Sequence, residues 1–515
     1  MPRDIVLGSG PSGVAAAAAL IARGREVVML DAGRTIEPGP AALRARMGSR
    51  EPHEWTDEDR AAIRAAPPSK ESGGIHPFGS DFLFSVPDCE PFWTDRSDVH
   101  ALRPSFAKGG LSNGWGSAVL PYRDEDIDAW PIRAADLSPH YDAVAPMLQI
   151  SGRRDDLAAI FPAYAPPVDS PLPSSTQATR LLTRLSMRRE ALRSLGLHFG
   201  MASKAVADGC RQCAMCLHGC PYRLIFSADQ AVDALAATGG LVYRPGVYAR
   251  QFEEDRTGVA VHADGDVVRG DRLFVGCGVL PTALLAARSL GLGGQWLSIL
   301  DSAHFFLPML HGWSAGDPAA EPRHSLVQLY WELLDARVDP HLVHAQLYTY
   351  NDGFAQDIGR RFGPFVHAAK PLIELLSRRL IVAQTFLHSD SSPSIGIRID
   401  GPAGQERLAF RAQPNDRTAA VQGRVTERLA KAARLAGMIA LTPLARLNPL
   451  GSSFHCGGTF PMRENPKHGE TDVLGRPAGF RRVHLIDASV FPTIPASTIT
   501  FSVMANAHRI ATNAE

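Results

Sequence analysis

The stretch DIVLGSGPSGVAAAAALIARGREVVMLDAG, residues 4–33, decides the fold of this chain. A short apolar segment runs into Gly8, Gly10 and Gly13, an alanine-rich segment follows, and a second apolar segment ends at Asp31. This order predicts a strand, a tight turn, a helix and a strand that bind a dinucleotide. The glycines let the backbone approach a pyrophosphate at the helix N-terminus, and the acid accepts hydrogen bonds from a ribose. The alternative is an ordinary glycine-rich turn between a strand and a helix.

Length and charge exclude several classes of protein. A chain of 515 residues exceeds what one hydrophobic core usually serves, so we expect two or three domains. Lys plus Arg and Asp plus Glu are equal at 53 each, which leaves no basic field to attract nucleic acid. No apolar run approaches the roughly 18 residues that span a bilayer. Because the first predicted strand begins close to Met1, we also expect no export leader and a cytoplasmic protein.

Four of the seven cysteines lie in CRQCAMCLHGC, residues 210–220, followed by Pro221. In a reducing compartment, closely spaced thiols serve as ligands more often than as disulfides. The spacing of Cys210, Cys213, Cys216 and Cys220 is that of bacterial ferredoxins and predicts an iron-sulfur cluster. The cluster is [4Fe-4S] if Cys220 is a ligand and [3Fe-4S] if it is not. Zinc fits less well because its cysteine pairs usually come from separate knuckles, and unliganded thiols are the third alternative.

Two further segments indicate a ligand site that is built from distant parts of the chain. Residues 106–132, FAKGGLSNGWGSAVLPYRDEDIDAWPI, form a glycine-rich loop that allows a backbone to lie flat against a ligand, or else a long surface turn. Near the C-terminus, SSFHCGGTFPM (452–462) precedes VHLIDASVFPTIPASTITFSVMANAHRIA (483–511). Such a distribution argues against a simple N-terminal cofactor domain.

Together with VGCGVLPTALL at 275–285, these motifs resemble the glucose-methanol-choline (GMC) family of flavoprotein oxidoreductases, some of which carry a cluster at a comparable position. The resemblance implies an α/β fold, with a Rossmann-like FAD-binding domain built from discontinuous segments and an α+β substrate domain with an antiparallel sheet. The expected FAD-binding domain comprises residues 1–35, 101–132, 206–290 and 441–515, with the cysteine segment inserted at 206–225. The substrate domain comprises 133–205 and 291–440, and residues 36–100 form an extension.

The resemblance also implies roles for individual residues. Gly109, Gly110, Ser112 and Asn113 would lie along the flavin, Val247 near the adenine, and Asp487 and Ala488 near the pyrophosphate and ribityl chain. His455 matches the catalytic histidine of the family, which implies that it is the base that takes the substrate hydroxyl proton; the alternative is a histidine that only binds backbone. The second catalytic position, usually His or Asn, falls on Thr498, or on Ala496 if the register shifts by two residues. A threonine hydroxyl can hydrogen-bond a substrate but cannot act as a base at neutral pH.

Alternating polar residues predict a substrate-binding face. In HLVHAQLYTY (341–350), a strand would place His344, Gln346, Tyr348 and Tyr350 on one side, and LIVAQTFLH (380–388) repeats the pattern. Amides, phenols and rings suit a sugar or polyol, although an ordinary half-buried sheet gives the same pattern. Residues 358–382 mix basic and apolar residues and would form either a buried helix pair or a peripheral membrane contact.

These features predict an FAD-dependent dehydrogenase that oxidises a CH–OH group of a sugar, glycoside or other polyol. A flavin takes two electrons and a cluster passes them on singly, so the expected partner is an external acceptor, either an electron-transfer protein or a quinone. The same arrangement run in reverse would be a reductase. The alternative class is a non-catalytic, regulatory or electron-relay flavoprotein with a zinc-bound cysteine loop.

Overall fold

The computed structural model describes residues 3–65, 76–85, 99, 101–161, 170–353, 366–401 and 407–515. The strands are β1 Arg3–Leu7, β2 Glu26–Leu30, β3 Ile150–Ser151, β4 Leu197–Met201, β5 Lys204–Ala205, β6 Leu241–Arg244, β7 Ala249–Glu254, β8 Val259–Ala263, β9 Asp266–Gly270, β10 Arg272–Val275, β11 Leu297–Asp301, β12 His304–His311, β13 Leu329–Leu333, β14 Val343–Tyr348, β15 Leu380–Phe386, β16 Ser394–Asp400, β17 Arg407–Gln413, β18 Met438–Ala440, β19 Cys456–Gly457 and β20 Val483–Leu485. The helices are α1 Pro11–Ala22, α2 Pro38–Gly48, α3 Asp57–Arg64, α4 Ala134–Leu148, α5 Thr176–Met187, α6 Arg189–Ser194, α7 Ala228–Ala237, α8 Val279–Ser289, α9 Val366–Ser377, α10 Thr418–Leu435 and α11 Thr500–Asn513.

A parallel sheet contains the first predicted strand and helix. Its order is β20-β10-β1-β2-β6, and every neighbouring pair is parallel. Helix α1 is alanine-rich and lies between this sheet and α11, because small side chains such as Ala15 and Ala16 let two buried helices approach closely. The carboxyl ends of all five strands lie at one edge, where the glycine turn and Asp31 follow β1 and β2.

An antiparallel sheet with the order β18-β12-β15-β14-β13-β4 forms the second layer. The predicted alternation is confirmed: Val343, Ala345 and Leu347 of β14 pack into a core with α10 on one face, so the side chains between them lie on the other. Smaller sheets, β17-β16-β11-β19 and β7-β8-β9, flank the two layers. The mixed α/β fold with an antiparallel sheet agrees with the predicted fold class.

The cysteine segment lies where the chain passes from one large sheet to the other. Strand β4 belongs to the antiparallel sheet and β6 to the parallel sheet, and residues 210–220 lie between them in sequence. Of the predicted helical segment 358–382, residues 358–365 lie outside the described residues, whereas α9 and the start of β15 cover most of the rest. No helix within the described ranges has the length and apolar character needed to cross a membrane.

Candidate active site

The glycine turn after β1 is shaped by close backbone contacts. Gly8 has φ +93°, and a Cβ there would lie 2.4 Å from the carbonyl oxygen of Gly276. A Cβ on Gly13 would lie 2.0 Å from the oxygen of Gly8, so only glycine fits. By contrast, a Cβ on Gly10 would meet nothing within 4 Å, and no side chain caps the N-terminus of α1. The N-terminus of α1 therefore has no side-chain cap and leaves space beside Gly10, which is the arrangement that binds a pyrophosphate.

Asp31 lies at the end of β2 among hydrogen-bond donors. The Ser9 hydroxyl donates to its carboxylate, and the Tyr243 hydroxyl donates to the same oxygen at 2.9 Å. Burial raises the pKa of Asp31 to about 6, although both hydrogen bonds oppose the shift. The backbone amide of Val247 donates to the Asp31 carbonyl oxygen at 2.9 Å, so the predicted adenine residue and the predicted ribose acid are neighbours.

The glycine-rich loop packs directly on this turn. The Gly109 amide donates to the Ser9 hydroxyl at 2.8 Å, and a Cβ on Gly110 would lie 3.6 Å from the Cα of Gly10. Ser112 donates to the Gly109 carbonyl at 2.6 Å, and the Asn113 amide donates to the Gly110 carbonyl at 2.9 Å. The side chains of Ser112 and Asn113 thus fix the loop, and its backbone forms the surface beside the nucleotide turn.

The two predicted residues after β20 close the same edge of the sheet. Asp487 accepts hydrogen bonds from the Thr282 hydroxyl at 2.5 Å and the Gly278 amide at 3.0 Å. Ala488 accepts one from the Gly458 amide at 2.9 Å, next to the segment that carries His455. The described residues fit FAD, because an acid, an uncapped helix N-terminus and a flat glycine backbone lie along one edge. FAD supplies a two-electron oxidant when bound.

The face of the antiparallel sheet that is turned away from α10 is called the free face here, and it carries His344 and Phe386. His455 lies at this face. Its ring stacks on Phe386 of β15, with centroids 4.7 Å apart and planes 17° apart. Phe386 is directly opposite His304 on one side and His344 on the other. Burial is the largest cause that lowers the pKa of His455 to about 3, and the charges of His344 and His304 contribute to the same shift. The structure therefore brings the predicted catalytic histidine to part of the predicted substrate face.

The rest of that predicted face is divided between two places. The Tyr348 hydroxyl donates to Gln346 at 2.9 Å and lies 3.6 Å from where a Cβ on Gly116 would be, so both tyrosine and glutamine face the glycine-rich loop. Tyr350 lies beyond the end of β14, and the Arg323 guanidinium lies 4.8 Å from its ring. Because the Arg323 backbone hydrogen-bonds Gln212 and Ala214, Tyr350 lies toward the cysteine segment.

Thr498 binds backbone. Its hydroxyl oxygen accepts a hydrogen bond from the Leu120 amide at 2.7 Å and lies 3.5 Å from the Leu120 carbonyl oxygen. Leu120 belongs to the glycine-rich loop, so Thr498 ties this loop to the C-terminal segment. Ala496, the alternative register, is buried in a small apolar cluster with Phe386 and Leu120. Neither position offers a free acid or base.

The four cysteines of residues 210–220 interact electrostatically with one another, and backbone amides point at three of the sulfurs. The amides of Gln212, Met215 and Ser325 donate to the sulfurs of Cys210, Cys213 and Cys216, respectively. Gln212 and Ala214 have φ of 52° and 59°, which non-glycine residues rarely adopt. Backbone hydrogen bonds with Arg323 hold this conformation. Such a loop, with inward sulfurs and amides, is typical of thiolate ligands.

No three metal-ligand atoms of the cysteine loop lie within 4.8 Å of one another, judged over the described residues. Sulfurs around a tetrahedral zinc, each about 2.3 Å from the metal, must be closer than that, so the loop does not form a closed zinc site. The nearby Lys204 ammonium is buried and donates to the Ala202 carbonyl at 2.7 Å. Burial lowers its pKa to about 7, and the thiols of Cys216 and Cys210 oppose the shift.

A small, partly open cavity of about 50 Å³ lies between the cysteine loop and the glycine-rich loop. Cys216 and Cys220 line one part of it, and Ser112, Asn113 and Gly114 line another. The two loops also make contact through α7, since the Ala228 amide donates to Ser112 at 2.8 Å. The predicted ligand loop and the predicted flavin loop are therefore neighbours.

One group with metal-ligand residue types does have its donor atoms within 4.8 Å: His341, His388 and Asp390. The two imidazole rings are stacked, with centroids 3.8 Å apart and planes 15° apart. A ligated metal lies in the plane of each ring, and nearly parallel stacked planes share no such point. The group is therefore an ion-pair cluster, in which Asp390 raises the pKa of His341.

Several residues that complete these sites are not predicted from the sequence. Ser9 and Thr282 fix Asp31 and Asp487, Lys204 faces the cysteine loop, and Glu332 pairs with His344. Ser9 lies in the glycine turn of residues 4–33, and Thr282 lies in the motif of residues 275–285. Their positions in these glycine-containing motifs are a sequence signal for a role at the same edge. Lys204 and Glu332 have no such signal, because the fold alone brings Lys204 to the cysteine loop and Glu332 to His344 of the neighbouring strand.

This chain is similar to known proteins in part of its sequence and in its whole fold. Residues 396–507 match a family model described as GMC oxidoreductase. No curated protein matches the chain. Among solved structures, pyridoxine 4-oxidase from Mesorbium loti is similar at 16% identity and a TM-score of 0.58, over 99% of this chain and 98% of that one.

Formate oxidase is similar at 13% identity and a TM-score of 0.59, over 99% of this chain and 97% of that one. At these identities the likeness establishes a shared fold, and the family model adds the C-terminal segment that contains His455 and Asp487. Residues 396–507 are thus similar to the GMC oxidoreductase family model, and the chain as a whole shares its fold with the two oxidases.

Proposed function

We propose that this chain oxidises a CH–OH group of a sugar, glycoside or other polyol with FAD and passes the electrons through a [4Fe-4S] cluster to an external acceptor. The observation that carries the proposal is the shared cavity between the cysteine loop and the glycine-rich loop. A two-electron and a one-electron centre at these loops would lie close enough to exchange electrons. An enzyme that hands electrons directly to oxygen has no use for a second centre.

The residues that would hold FAD are those of the strand edge. Gly8, Gly10 and Gly13 leave room for the pyrophosphate, Asp31 accepts from the ribose, and Asp487 orders the turn after β20. Val247 would contact the adenine, and the loop at Gly109–Asn113 would lie along the flavin. His455 would hydrogen-bond the substrate hydroxyl. No described carboxylate is hydrogen-bonded to its ring, and burial keeps the ring neutral.

Cys210, Cys213, Cys216 and Cys220 would hold the cluster. Burial raises the pKa of the Cys210, Cys213 and Cys216 thiols, and a backbone amide directed at each sulfur opposes that shift, as does the buried Lys204 at Cys210. The spacing of these four cysteines, followed by Pro221, favours an iron-sulfur cluster over zinc. A cytoplasmic location suits this loop, because free thiols persist there until they are ligated.

Iron and sulfide analysis tests the cluster. Anaerobically purified protein should contain about four irons and four acid-labile sulfides per chain, with broad absorbance near ~400 nm besides the flavin bands. Cys216→Ser should lose both, whereas Cys277→Ser, a change outside the loop, should keep them. Stoichiometric zinc without sulfide would instead support the non-catalytic class and end the cluster proposal.

Anaerobic reduction of the flavin tests the reaction. A panel of sugars, glycosides and polyols should bleach the flavin of the wild-type protein, and His455→Ala should slow bleaching by roughly 10²–10⁴-fold. The two similar structures are named as oxidases, so the reduced protein should also be mixed with oxygen and with a quinone. Faster reoxidation by the quinone supports an external acceptor. Faster reoxidation by oxygen would make the chain an oxidase.

A further inference from the structure

A carboxylate and an imidazole form a buried pair on the free face of the antiparallel sheet. Glu332 of β13 and His344 of β14 are directly opposite each other, and both are 0% exposed. His344 Nδ1 lies 2.8 Å from Glu332 Oε1. A buried carboxylate accepts the Nδ1 hydrogen, which leaves the lone pair of the neutral ring on Nε2.

The outer atoms of this pair have no partners. Glu332 Oε2 and His344 Nε2 are buried and make no hydrogen bond to the residues that the structure describes. A buried polar atom without a partner costs about 1–3 kcal/mol. In a purely structural pair, nothing offsets this loss of stability. If a ligand hydroxyl hydrogen-bonds these atoms, the loss is offset when the ligand binds.

The pair lies in one cross-strand row with the candidate catalytic centre. The row runs Glu332, His344, Phe386, His304 across four neighbouring strands. The His344 and His455 rings both stack on Phe386, with centroids 6.1 and 4.7 Å away. The two imidazoles therefore share one ring neighbour, and His344 interacts electrostatically with His455 and contributes to its lowered pKa.

Other ionisable groups also face the pair. Arg123 and Asp126 act on Glu332 with opposite signs, and burial raises the pKa of Glu332 while His344 opposes the shift. The Tyr330 ring packs on His344 at 4.9 Å, and Tyr330 donates its own hydroxyl to the Ser203 carbonyl. His304 and His455 also stack on Phe386, the residue opposite His344 in the next strand. Among these, Glu332 alone hydrogen-bonds the His344 ring.

The rings of His455 and His344 differ in their hydrogen-bond partners. His455 has an unpartnered Nδ1 and a pKa that burial lowers to about 3, so a charged form at His455 is unfavourable. His344 is held by a carboxylate, which orients a ring and stabilises its charged form. Because Thr498 binds the Leu120 backbone, the usual second catalytic position supplies no base.

We propose that His344, oriented by Glu332, is a catalytic residue that accepts the substrate hydroxyl proton, while His455 hydrogen-bonds the same oxygen. The inference rests on the proposed alcohol oxidation. The carbon–hydrogen bond breaks with its electron pair going as hydride to FAD, and the oxygen–hydrogen bond breaks with its proton going to His344 Nε2. A carbon–oxygen double bond forms. The imidazolium is then paired with the Glu332 carboxylate, so charge balances within the buried row.

Matched variants of one row test the proposal. His344→Gln should slow anaerobic flavin reduction by roughly 10²–10³-fold. His304→Gln, a histidine at the same distance along the row but without a carboxylate, should slow it less than tenfold. Glu332→Gln should fall between them and should displace the pH profile of the reduction rate. Bound flavin and melting temperature of each variant should match the wild type, which separates a catalytic loss from a folding loss.

A proton NMR spectrum gives a readout that does not depend on turnover. The wild-type protein should show a downfield imidazole proton from the Nδ1 hydrogen bond, present in His304→Gln and lost in His344→Gln and Glu332→Gln. If His344→Gln fails to fold, Glu332→Gln supplies both the kinetic and the spectral tests.

The outcomes separate the two proposals. If no alcohol or sugar bleaches the wild-type flavin, the proposed function is wrong. If the wild type bleaches and both His344→Gln and Glu332→Gln bleach within threefold of it at every pH, the proposed function stands and this inference is overturned.

Discussion

The edge of the parallel sheet and the free face of the antiparallel sheet build their sites in different ways. At the edge, backbone groups form the surface, and residues such as Gly13 and Asp31 act within one strand-helix-strand unit. On the face, side chains from neighbouring strands form a row in which Glu332, His344 and Phe386 meet by register. The geometry of the edge therefore depends on glycines at positions where no side chain fits. The geometry of the face depends on which side chains are paired across neighbouring strands.

This difference predicts different sensitivities to mutation. A backbone surface fails when any side chain is added, because close-packed main-chain atoms cannot move apart cheaply. A side-chain row fails only when the particular chemical group is removed. We therefore expect changes at the edge to remove the cofactor, and changes on the face to leave the cofactor bound and slow the reaction.

The largest expected effect is at the edge, from Gly13→Ala. The added Cβ would lie 2.0 Å from the Gly8 oxygen, so β1 and α1 must separate where the pyrophosphate would bind. We expect protein that is purified without bound FAD and that does not recover it on titration. The measurement is the flavin-to-protein absorbance ratio before and after adding FAD.

Gly39→Ala is the matched control, since it makes the same chemical change in α2 where the added Cβ would meet nothing within 4 Å. It should keep its flavin. If Gly13→Ala also keeps its flavin at wild-type affinity, the distinction between a backbone edge and a side-chain face does not hold.

The same difference explains how far the sequence could be interpreted. The turn from Gly8 to Asp31 was predictable because its signals lie close together in sequence and each follows from backbone geometry. His455 was predictable from its motif, and the structure brings it to Phe386. The alternation in β14 correctly put His344 and Gln346 on one face.

Register was the missing information. The partner of His344 is Glu332, and the pairing depends on how β13 aligns with β14, which alternation alone does not fix. The resemblance places Thr498, or Ala496, at the second catalytic position, and the sequence does not show that the Leu120 amide, 378 residues away, donates to the Thr498 hydroxyl. Long-range backbone contacts of this kind leave no local pattern.

A smaller effect at the edge comes from Asp31→Asn. The carboxylate would accept hydrogen bonds from the ribose, and a charged hydrogen bond contributes about 1.5–3 kcal/mol, so FAD affinity should fall roughly 10–100-fold. FAD titration at neutral pH measures this. Glu26→Gln, an exposed change at the opposite end of β2, should leave the affinity unchanged.

The pH dependence of the apoprotein gives a second readout for Asp31. Burial raises its pKa from 3.8 to about 6, so the folded state binds the proton more tightly than the unfolded state. Stability from this group is therefore full below about pH 4 and lost as the pH rises to about 6. Asp31→Asn should raise the melting temperature of the apoprotein relative to wild type at pH 7 and not at pH 4. A constant difference across this range would contradict the assignment.

The smallest expected effect is from Thr498→Val, which tests whether position 498 belongs to the face or to the loop. Valine has a similar shape and lacks the hydroxyl, so the Leu120 amide loses its acceptor at a cost of about 1–3 kcal/mol of stability. If Thr498 only holds the loop, flavin reduction should slow less than about fivefold while the melting temperature falls. Thr498→Ser, which restores the hydroxyl, should recover the melting temperature. A loss of 100-fold or more with unchanged melting temperature would instead make Thr498 part of the reacting site, and the face would then extend across the loop to the C-terminal segment.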